Sequence, residues 1–282
     1  MKGKPKKAKQ SQENNMSIFF ADCTMNEIEQ AQKNNALIIL PVGILEEHAA
    51  HLPISTDNII AEQVSIQLAK RIEQNIPVKV LPTIWAGYHG NVIAKFPGSI
   101  RVKPETLMNF IFDILESLCT HGFKKIMIIN GHGQNPPILE LACRKITDKY
   151  NVIPILTFPM GMIGNKGREI RTTPQGGAGG HADEIETALI LTLQEELVHM
   201  ELAPDDTCNY RSKFVPGDTF PEHEVLGGVY WSTWHIQKTK SGAIGNAKTA
   251  TVETGQKLMD VILQNYEDLA QEYYNFESSI DE

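Results

Sequence analysis

A continuous apolar run at residues 36–40, Ala-Leu-Ile-Ile-Leu, is the feature that most constrains the fold. Polar Asn34 and Asn35 precede the run and Pro41 follows it. An apolar run without polar alternation is typical of a strand that is buried on both faces, as in a parallel sheet covered by helices. The run therefore predicts a central strand at 36–42.

Apolar strands and amphipathic helices alternate along most of the chain. Three further strands are predicted at 78–82, 124–130 and 152–158, and helices at 26–34, 58–76, 104–121, 137–149, 183–196 and 247–275. Strands and helices at this spacing form βαβ units, which build parallel sheets with helices on the faces. The sequence therefore predicts an α/β fold with three layers (α/β/α) and a mainly parallel central sheet.

The chain divides into a tail and one predicted domain. Residues 1–15 are rich in lysine and have no apolar stretch, so we predict a disordered basic tail and not a secretory leader. Residues 16–282 are predicted to form a single domain. Within it, the Gly-rich segment 159–180 is predicted to be a substrate-covering loop or a plain surface loop, and 205–245 to be irregular.

Composition and charge exclude several functional classes. The 282 residues are 41% hydrophobic and carry a net charge of −8, which argues against a nucleic-acid partner. No apolar run approaches the roughly 20 residues needed to span a bilayer, so no membrane partner is expected. Four widely separated cysteines without a pairing pattern predict a reduced, cytoplasmic protein.

Five titratable residues follow the first predicted strand, namely Glu46, Glu47, His48, His51 and Asp57. Burying such groups is costly unless they are paired or bind a metal ion. Glu46 and His48 are two positions apart, so both project to the same side of an extended segment. Mixed carboxylate and imidazole ligands suit zinc, manganese or iron. A salt-bridged polar loop would give the same pattern, so this segment alone leaves both interpretations open.

Two later segments carry similar residues. His132 follows the third predicted strand, and ligands of parallel sheets bind beyond the carboxyl ends of the strands. The His132 loop and the Glu46 loop are therefore expected to converge. His181, Glu184 and Glu186 lie where the 183–196 helix begins. His181 and Glu184 can meet on one helix face, although acidic residues in a first turn are also ordinary dipole partners.

Five blocks in order resemble the creatininase (creatinine amidohydrolase) family over most of the chain after residue 36. The blocks are Leu40–Gly43 with Glu46–His48, Phe96–Ser99, Asn130–Gly133 with Asn135, Gly180–Thr187, and Gly242–Asn246. The resemblance implies a creatininase-like fold and a hydrolase that uses one or two divalent metal ions. Zinc is the first expectation, with manganese or iron as alternatives. It also implies a small-molecule substrate and a homo-oligomer, a hexamer being one form.

The resemblance implies metal ligands at Glu46, His48, Asp57 and His132, with Asp57 able to bridge two ions. In creatininase proper a carboxylate ligand lies two positions after the GHG histidine, where this chain has Gln134. We therefore expect another carboxylate to replace it.

The replacement is expected to be Glu184, with Glu186 as the alternative ligand or as a catalytic residue. His181 is expected to donate a proton to the leaving nitrogen. Capping of the 183–196 helix is its alternative role. His51 is expected to be a structural hydrogen-bonding residue and not a ligand.

The predicted activity is hydrolysis of a small amide, with a cyclic amide as the first expectation, or of a formamide. The pocket tryptophans of creatininase have no counterpart before His181, so creatinine itself is not expected as the substrate. Val92 and Ile93 stand where relatives often carry Glu-His, which removes a polar group. C–C hydrolysis of a cyclic keto-inositol, peptide cleavage, and a non-enzymatic metal-binding or ligand-binding role remain open alternatives.

Overall fold

The computed structural model describes residues 17–174, 177–207, 212–214, 218–222, 224–226 and 239–277. The predicted tail at 1–15 and part of the predicted irregular segment at 205–245 lie outside these residues. The division into a tail and a single domain therefore stays a prediction.

Strands and helices alternate through the described chain. The strands are β1 Leu37–Val42, β2 Val78–Val80, β3 Lys125–Asn130, β4 Ile155–Thr157, β5 Ala178–His181, β6 Asp205–Asp206 and β7 Ile244–Asn246. The α-helices are α1 Met25–Lys33, α2 Thr56–Ile72, α3 Pro104–Thr120, α4 Pro136–Tyr150, α5 Pro159–Ile163, α6 Gly167–Ile170, α7 Glu184–Gln194 and α8 Val252–Asn275. The first four predicted strands are all present, with bounds that differ by up to three residues.

The central sheet has the strand order β2-β1-β3-β4, and all of its neighbouring strands are parallel. This confirms the predicted α/β fold. In the pairing of β1 with β3, Val42 lies opposite Asn130, so both strands end at the same edge. The loops that follow them therefore begin side by side.

Side chains of β1 alternate between two separate apolar cores. Leu37 and Ile39 pack into the core formed with α2, α7 and α8. Ile38 and Leu40 pack into the core formed with α3 and α4. The strand is thus buried on both faces, as the apolar run predicted. Burying one Ile or Leu side chain contributes about 2 kcal/mol, so β1 is a rigid base for the loop after Val42.

A second, antiparallel sheet with the order β5-β7-β6 was not predicted from the sequence. β5 and the short helices α5 and α6 occupy much of the segment predicted as a loop at 159–180. Gly179 allows the close pairing, because a side chain there would lie 2.2 Å from the Ile244 carbonyl oxygen. This sheet positions His181 opposite Ile244. Among the described residues, no helix is long and apolar enough to cross a membrane.

Candidate metal centre

Acidic and imidazole side chains from four parts of the chain meet at the carboxyl edge of the central sheet. Glu46 and His48 lie in the loop after β1, and Asp57 lies in the first turn of α2. His132 follows β3, and Glu186 lies in the first turn of α7. The expected convergence of the β1 and β3 loops is therefore observed.

Two glycines allow the loops to approach α2 this closely. A side chain at Gly131 would lie 2.1 Å from the Asp57 carbonyl oxygen, and one at Gly43 would lie 2.8 Å from the Asn58 backbone nitrogen. Such distances are much shorter than a van der Waals contact, so neither position has room for a side chain. The backbone at the ends of β1 and β3 therefore lies directly against the helix turn that carries Asp57.

Asp57 lies between two histidines. Its Oδ2 atom is 2.8 Å from Nδ1 of His132, and its Oδ1 atom is 3.2 Å from Nε2 of His48. Glu46 Oε2 lies 2.9 Å from the same nitrogen of His132, and Glu186 Oε2 lies 3.5 Å from the same nitrogen of His48. Three groups have ligand atoms within 4.8 Å of one another, namely Glu46–Asp57–His132, His48–Asp57–Glu186 and Glu46–His48–His181. The first two are the two triads that share Asp57, and each of them could hold one metal ion.

Backbone carbonyls fix the tautomers of both histidines. His132 Nε2 lies 2.9 Å from the Tyr88 carbonyl oxygen, and His48 Nδ1 lies 3.1 Å from the Glu46 carbonyl oxygen. Since a carbonyl only accepts, these nitrogens carry hydrogen and donate. In a neutral imidazole the other nitrogen then presents its lone pair toward the carboxylates. This orientation suits metal binding, in which the second nitrogen of a ligating histidine commonly donates to a carbonyl.

The neighbouring carboxylates keep His48 and His132 protonated in the absence of metal ions. Burial opposes the charged form of His48, but the Asp57 carboxylate outweighs it and raises the pKa of His48 to about 10. Burial likewise opposes the charged form of His132, and Glu46 and Asp57 raise its pKa well above the usual value. Burial would raise the pKa of Asp57, yet the two histidines lower it. Protons therefore occupy the positions that metal ions would take.

The donor set fits divalent metal ions. Glu46 is only 1% exposed, and its Oε1 atom has no hydrogen-bond partner. A buried carboxylate oxygen without a partner is costly, and coordination would compensate it. The mixture of carboxylate oxygen and imidazole nitrogen suits zinc, manganese or iron.

Glu184 lies outside the cluster, contrary to the expectation that it replaces the missing carboxylate. Its Oε1 accepts from the Thr172 backbone nitrogen at 2.6 Å, and its Oε2 accepts from the Thr173 backbone nitrogen at 2.9 Å. The hydroxyls of both threonines also donate to it. Residues two apart on a helix point in nearly opposite directions, so Glu186 faces His48 while Glu184 does not. Of the two carboxylates, Glu186 is therefore the one that faces the cluster.

His181 lies at the end of β5, with its ring centroid 4.5 Å from that of His48. Its Nε2 atom is 3.4 Å from Glu47 Oε1. The alternative role as a helix cap is not observed, because Asp183 caps α7 by accepting from Ile185 and Glu186 backbone nitrogens. His181 does not meet Glu184, whose oxygens are held by the threonines.

Other polar residues form hydrogen bonds around the candidate ligands. His51 Nε2 lies 2.8 Å from the Thr187 hydroxyl, in agreement with a hydrogen-bonding role. Sequence reasoning missed the role of Asn135, whose Nδ2 donates to the Gly43 carbonyl and whose Oδ1 accepts from the Tyr88 backbone nitrogen. Asn135 therefore links the loops that hold both histidines. Its place in the Asn130–Gly133 block was the signal that the sequence offered.

A small cavity of about 120 Å³ lies beside the cluster. Its wall includes Glu46, Asp57, His132 and Glu186 together with apolar side chains from other parts of the chain. The cavity gives a small molecule access to the two triads.

This chain is similar to known proteins in sequence and in fold. Curated relatives match at low identity, among them the following three. The 3-dehydro-scyllo-inosose hydrolase of Thermotoga maritima is 25% identical, and the match covers 90% of this chain and 83% of the relative. Creatinine amidohydrolase of Pseudomonas putida is also 25% identical, over 92% of this chain and 98% of the relative. The mycofactocin precursor peptide peptidase of Mycobacterium tuberculosis is 24% identical, over 84% of this chain and 85% of the relative.

Solved creatininase structures share the fold. A mutant described as the Zn-Zn type and a structure described as manganese creatininase each match with a TM-score of 0.76, covering 93% of this chain and 100% of theirs, at 23% and 22% identity. A sequence model of the creatininase family, described as creatinine amidohydrolase, matches residues 21–270. The chain belongs to the creatininase family.

Proposed function

We propose that this protein is a hydrolase that depends on divalent metal ions and cleaves the C–N bond of a small amide. The observation that carries the proposal is the position of Asp57, whose two carboxylate oxygens face His132 and His48 at 2.8 and 3.2 Å. A carboxylate shared in this way fits two metal ions. Two of the matching creatininase structures are described by zinc and by manganese, which supports zinc as the first candidate and manganese as the second.

Each side chain has a proposed role. Glu46, Asp57 and His132 would hold one ion, and His48, Asp57 and Glu186 would hold the other. When bound, such ions lower the pKa of a water molecule and polarise a carbonyl oxygen. His181 donates a proton to the leaving nitrogen, and Glu47 Oε1, which lies 3.4 Å from His181 Nε2, stabilises the protonated imidazole.

The names of the relatives leave open which type of bond this protein hydrolyses. One is named for the hydrolysis of an inosose, one for an amide and one for a peptide. C–C hydrolysis of a cyclic ketone is therefore the second candidate, since the same metal cluster could polarise a ketone. A non-enzymatic metal-binding or ligand-binding role has less support, because all three relatives are named as enzymes. The expected homo-oligomer stays a prediction.

Elemental analysis of the purified protein tests the metal proposal. We expect one to two transition-metal ions per chain, and His132→Ala should lose metal and all hydrolytic activity. His121→Ala is the matched control, because His121 is an exposed residue at the end of α3. A metal-free native protein that still hydrolyses amides would contradict the proposal.

A further inference from the structure

Three apolar side chains line the cavity beside the proposed metal ligands: Ile93, Phe158 and Ile244. Ile93 and Ile244 are 3% and 4% exposed and belong to one apolar cluster, against which Val92 packs. Phe158 immediately precedes α5 and packs against the core under the sheet. The cavity therefore combines a charged wall of ligands with a fixed apolar wall.

On the basis of the function proposed above, we infer that the group held in this cavity is a short, uncharged aliphatic chain, so that the substrates are small aliphatic amides and not polyhydroxylated rings or extended peptides. Two independent properties of the cavity carry this inference, namely its size and the chemistry of its wall.

The size limits the substrate to a few atoms. The cavity measures about 120 Å³. An engineered apolar cavity of roughly 150 Å³ in another protein holds one benzene molecule, so this one accommodates about five non-hydrogen atoms. A six-membered ring that carries several hydroxyl groups has about twice that number. An extended peptide could place only one end of the chain in it.

The wall offers few partners for hydroxyl groups. Among the described residues that line the cavity, His181 and Gln134 are the polar side chains other than the proposed ligands. Gln134 Oε1 already accepts from the Gly90 backbone nitrogen at 2.9 Å, so the polar partners on this wall are the Gln134 amide nitrogen and His181. The remaining hydroxyls of a polyol ring would face Ile93, Phe158 or Ile244. Each hydroxyl buried without a partner weakens binding by on the order of tenfold.

A series of straight-chain hydroxamic acids tests the inference without requiring a known substrate. A hydroxamate chelates a divalent ion through its two oxygens, which directs its alkyl chain into the adjoining cavity. We expect the dissociation constant of the zinc-loaded protein, measured by calorimetry, to fall about fourfold per added methylene. The gain should stop at about four carbons, when the cavity is full. The 2,3-dihydroxy derivative of butanohydroxamic acid should bind on the order of 100-fold more weakly than the parent.

Ile93→Asn should remove most of the gain per methylene while the metal content stays unchanged. Ile100→Asn is the control, because Ile100 is 48% exposed and does not line the cavity. The hydroxamate series measured on the unaltered protein tests the inference even if Ile93→Asn fails to fold. Equal affinities along the series, or tighter binding of the dihydroxy compound, would overturn the inference and leave the metal-dependent hydrolase intact. A metal-loaded protein that binds no hydroxamate at all would overturn both.

Discussion

Glu184 and Glu186 lie two positions apart in the first turn of α7 but bind different parts of the molecule. Glu184 accepts hydrogen bonds from Thr172 and Thr173, whereas Glu186 Oε2 lies 3.5 Å from His48 Nε2 and accepts from the Ala182 backbone nitrogen at 2.6 Å. One carboxylate therefore fixes the chain after α6, and the other faces the candidate metal centre.

Replacing each of these residues by glutamine should separate the two roles. We expect Glu186→Gln to weaken metal binding by at least roughly 100-fold, because even indirect partners of metal ligands are worth 10- to 100-fold. Glu184→Gln should keep its metal but lose about 2 kcal/mol of unfolding free energy, since an amide nitrogen would face backbone donors. Plasma emission spectrometry and urea unfolding measure the two effects. Loss of metal from Glu184→Gln alone would return the ligand role to Glu184.

Gly131 and Gly133 flank His132 and form a second matched pair. A side chain at Gly131 would lie 2.1 Å from the Asp57 carbonyl oxygen, while one at Gly133 would have no neighbour within 4 Å. Gly131→Ala should therefore push α2 away, with a cost of about 1–3 kcal/mol in unfolding free energy and a loss of metal. Gly133→Ala should leave stability and metal content close to those of the unaltered protein. Similar thermal shifts for the two variants would contradict the close approach seen at Gly131.

The sheet and the meeting point of the ligands could be predicted from the sequence for a physical reason. β1 and β3 are short apolar runs bounded by polar residues, Pro or Gly, which is typical of strands buried on both faces. Parallel strands place their carboxyl ends at one edge, and this rule predicts that the loops of Glu46 and His132 meet. Burial and parallel topology were sufficient for that part of the site.

The choice between Glu184 and Glu186 could not be made in the same way. It depends on where α7 begins, and that is decided by Asp183, whose side chain accepts from the backbone nitrogens of Ile185 and Glu186 at 2.9 and 3.0 Å. A shift of two residues would have turned Glu184 toward His48 instead. The second sheet was missed because β5, β6 and β7 have only two to four residues each, too few to show alternation.

Glu47 and His181 offer a test of the proton donor. Burial and the charge of His48 oppose protonation of His181, but the Glu47 carboxylate, 3.4 Å from Nε2, helps to raise the pKa of His181 above the usual value. Removing that partner should lower the pKa. If His181 acts as the acid, activity falls above its pKa, so Glu47→Gln should shift the basic limb of the kcat profile to lower pH. His181→Gln should abolish this limb and reduce kcat by about 100-fold with full metal content. An unchanged basic limb in Glu47→Gln would remove Glu47 from this role.

Metal-free protein should lose stability as the pH rises from 7 to 10. Burial opposes the charge on His48, yet Asp57 raises its pKa to about 10, above the value of about 6.5 in the unfolded chain. The folded state therefore binds a proton more tightly than the unfolded state does. The resulting stabilisation is fully present below pH 6.5 and disappears as the pH rises through 10. Differential scanning calorimetry should show a Tm several degrees lower at pH 10 than at pH 7.

Metal-loaded protein should behave in the opposite way over the same range. Ions replace the protons of His48 and His132, so binding releases protons and strengthens with pH. The difference in Tm between the loaded and the metal-free protein should therefore widen from pH 7 to pH 10. His48→Asn is the control, because its lysines and tyrosines titrate as in the unaltered protein. Its change in Tm with pH is subtracted from that of the unaltered protein. A loss of Tm in the metal-free protein no larger than that of His48→Asn between these pH values would show that His48 carries no extra buried proton. A metal ion would then have no proton to displace from the nitrogen that faces Asp57.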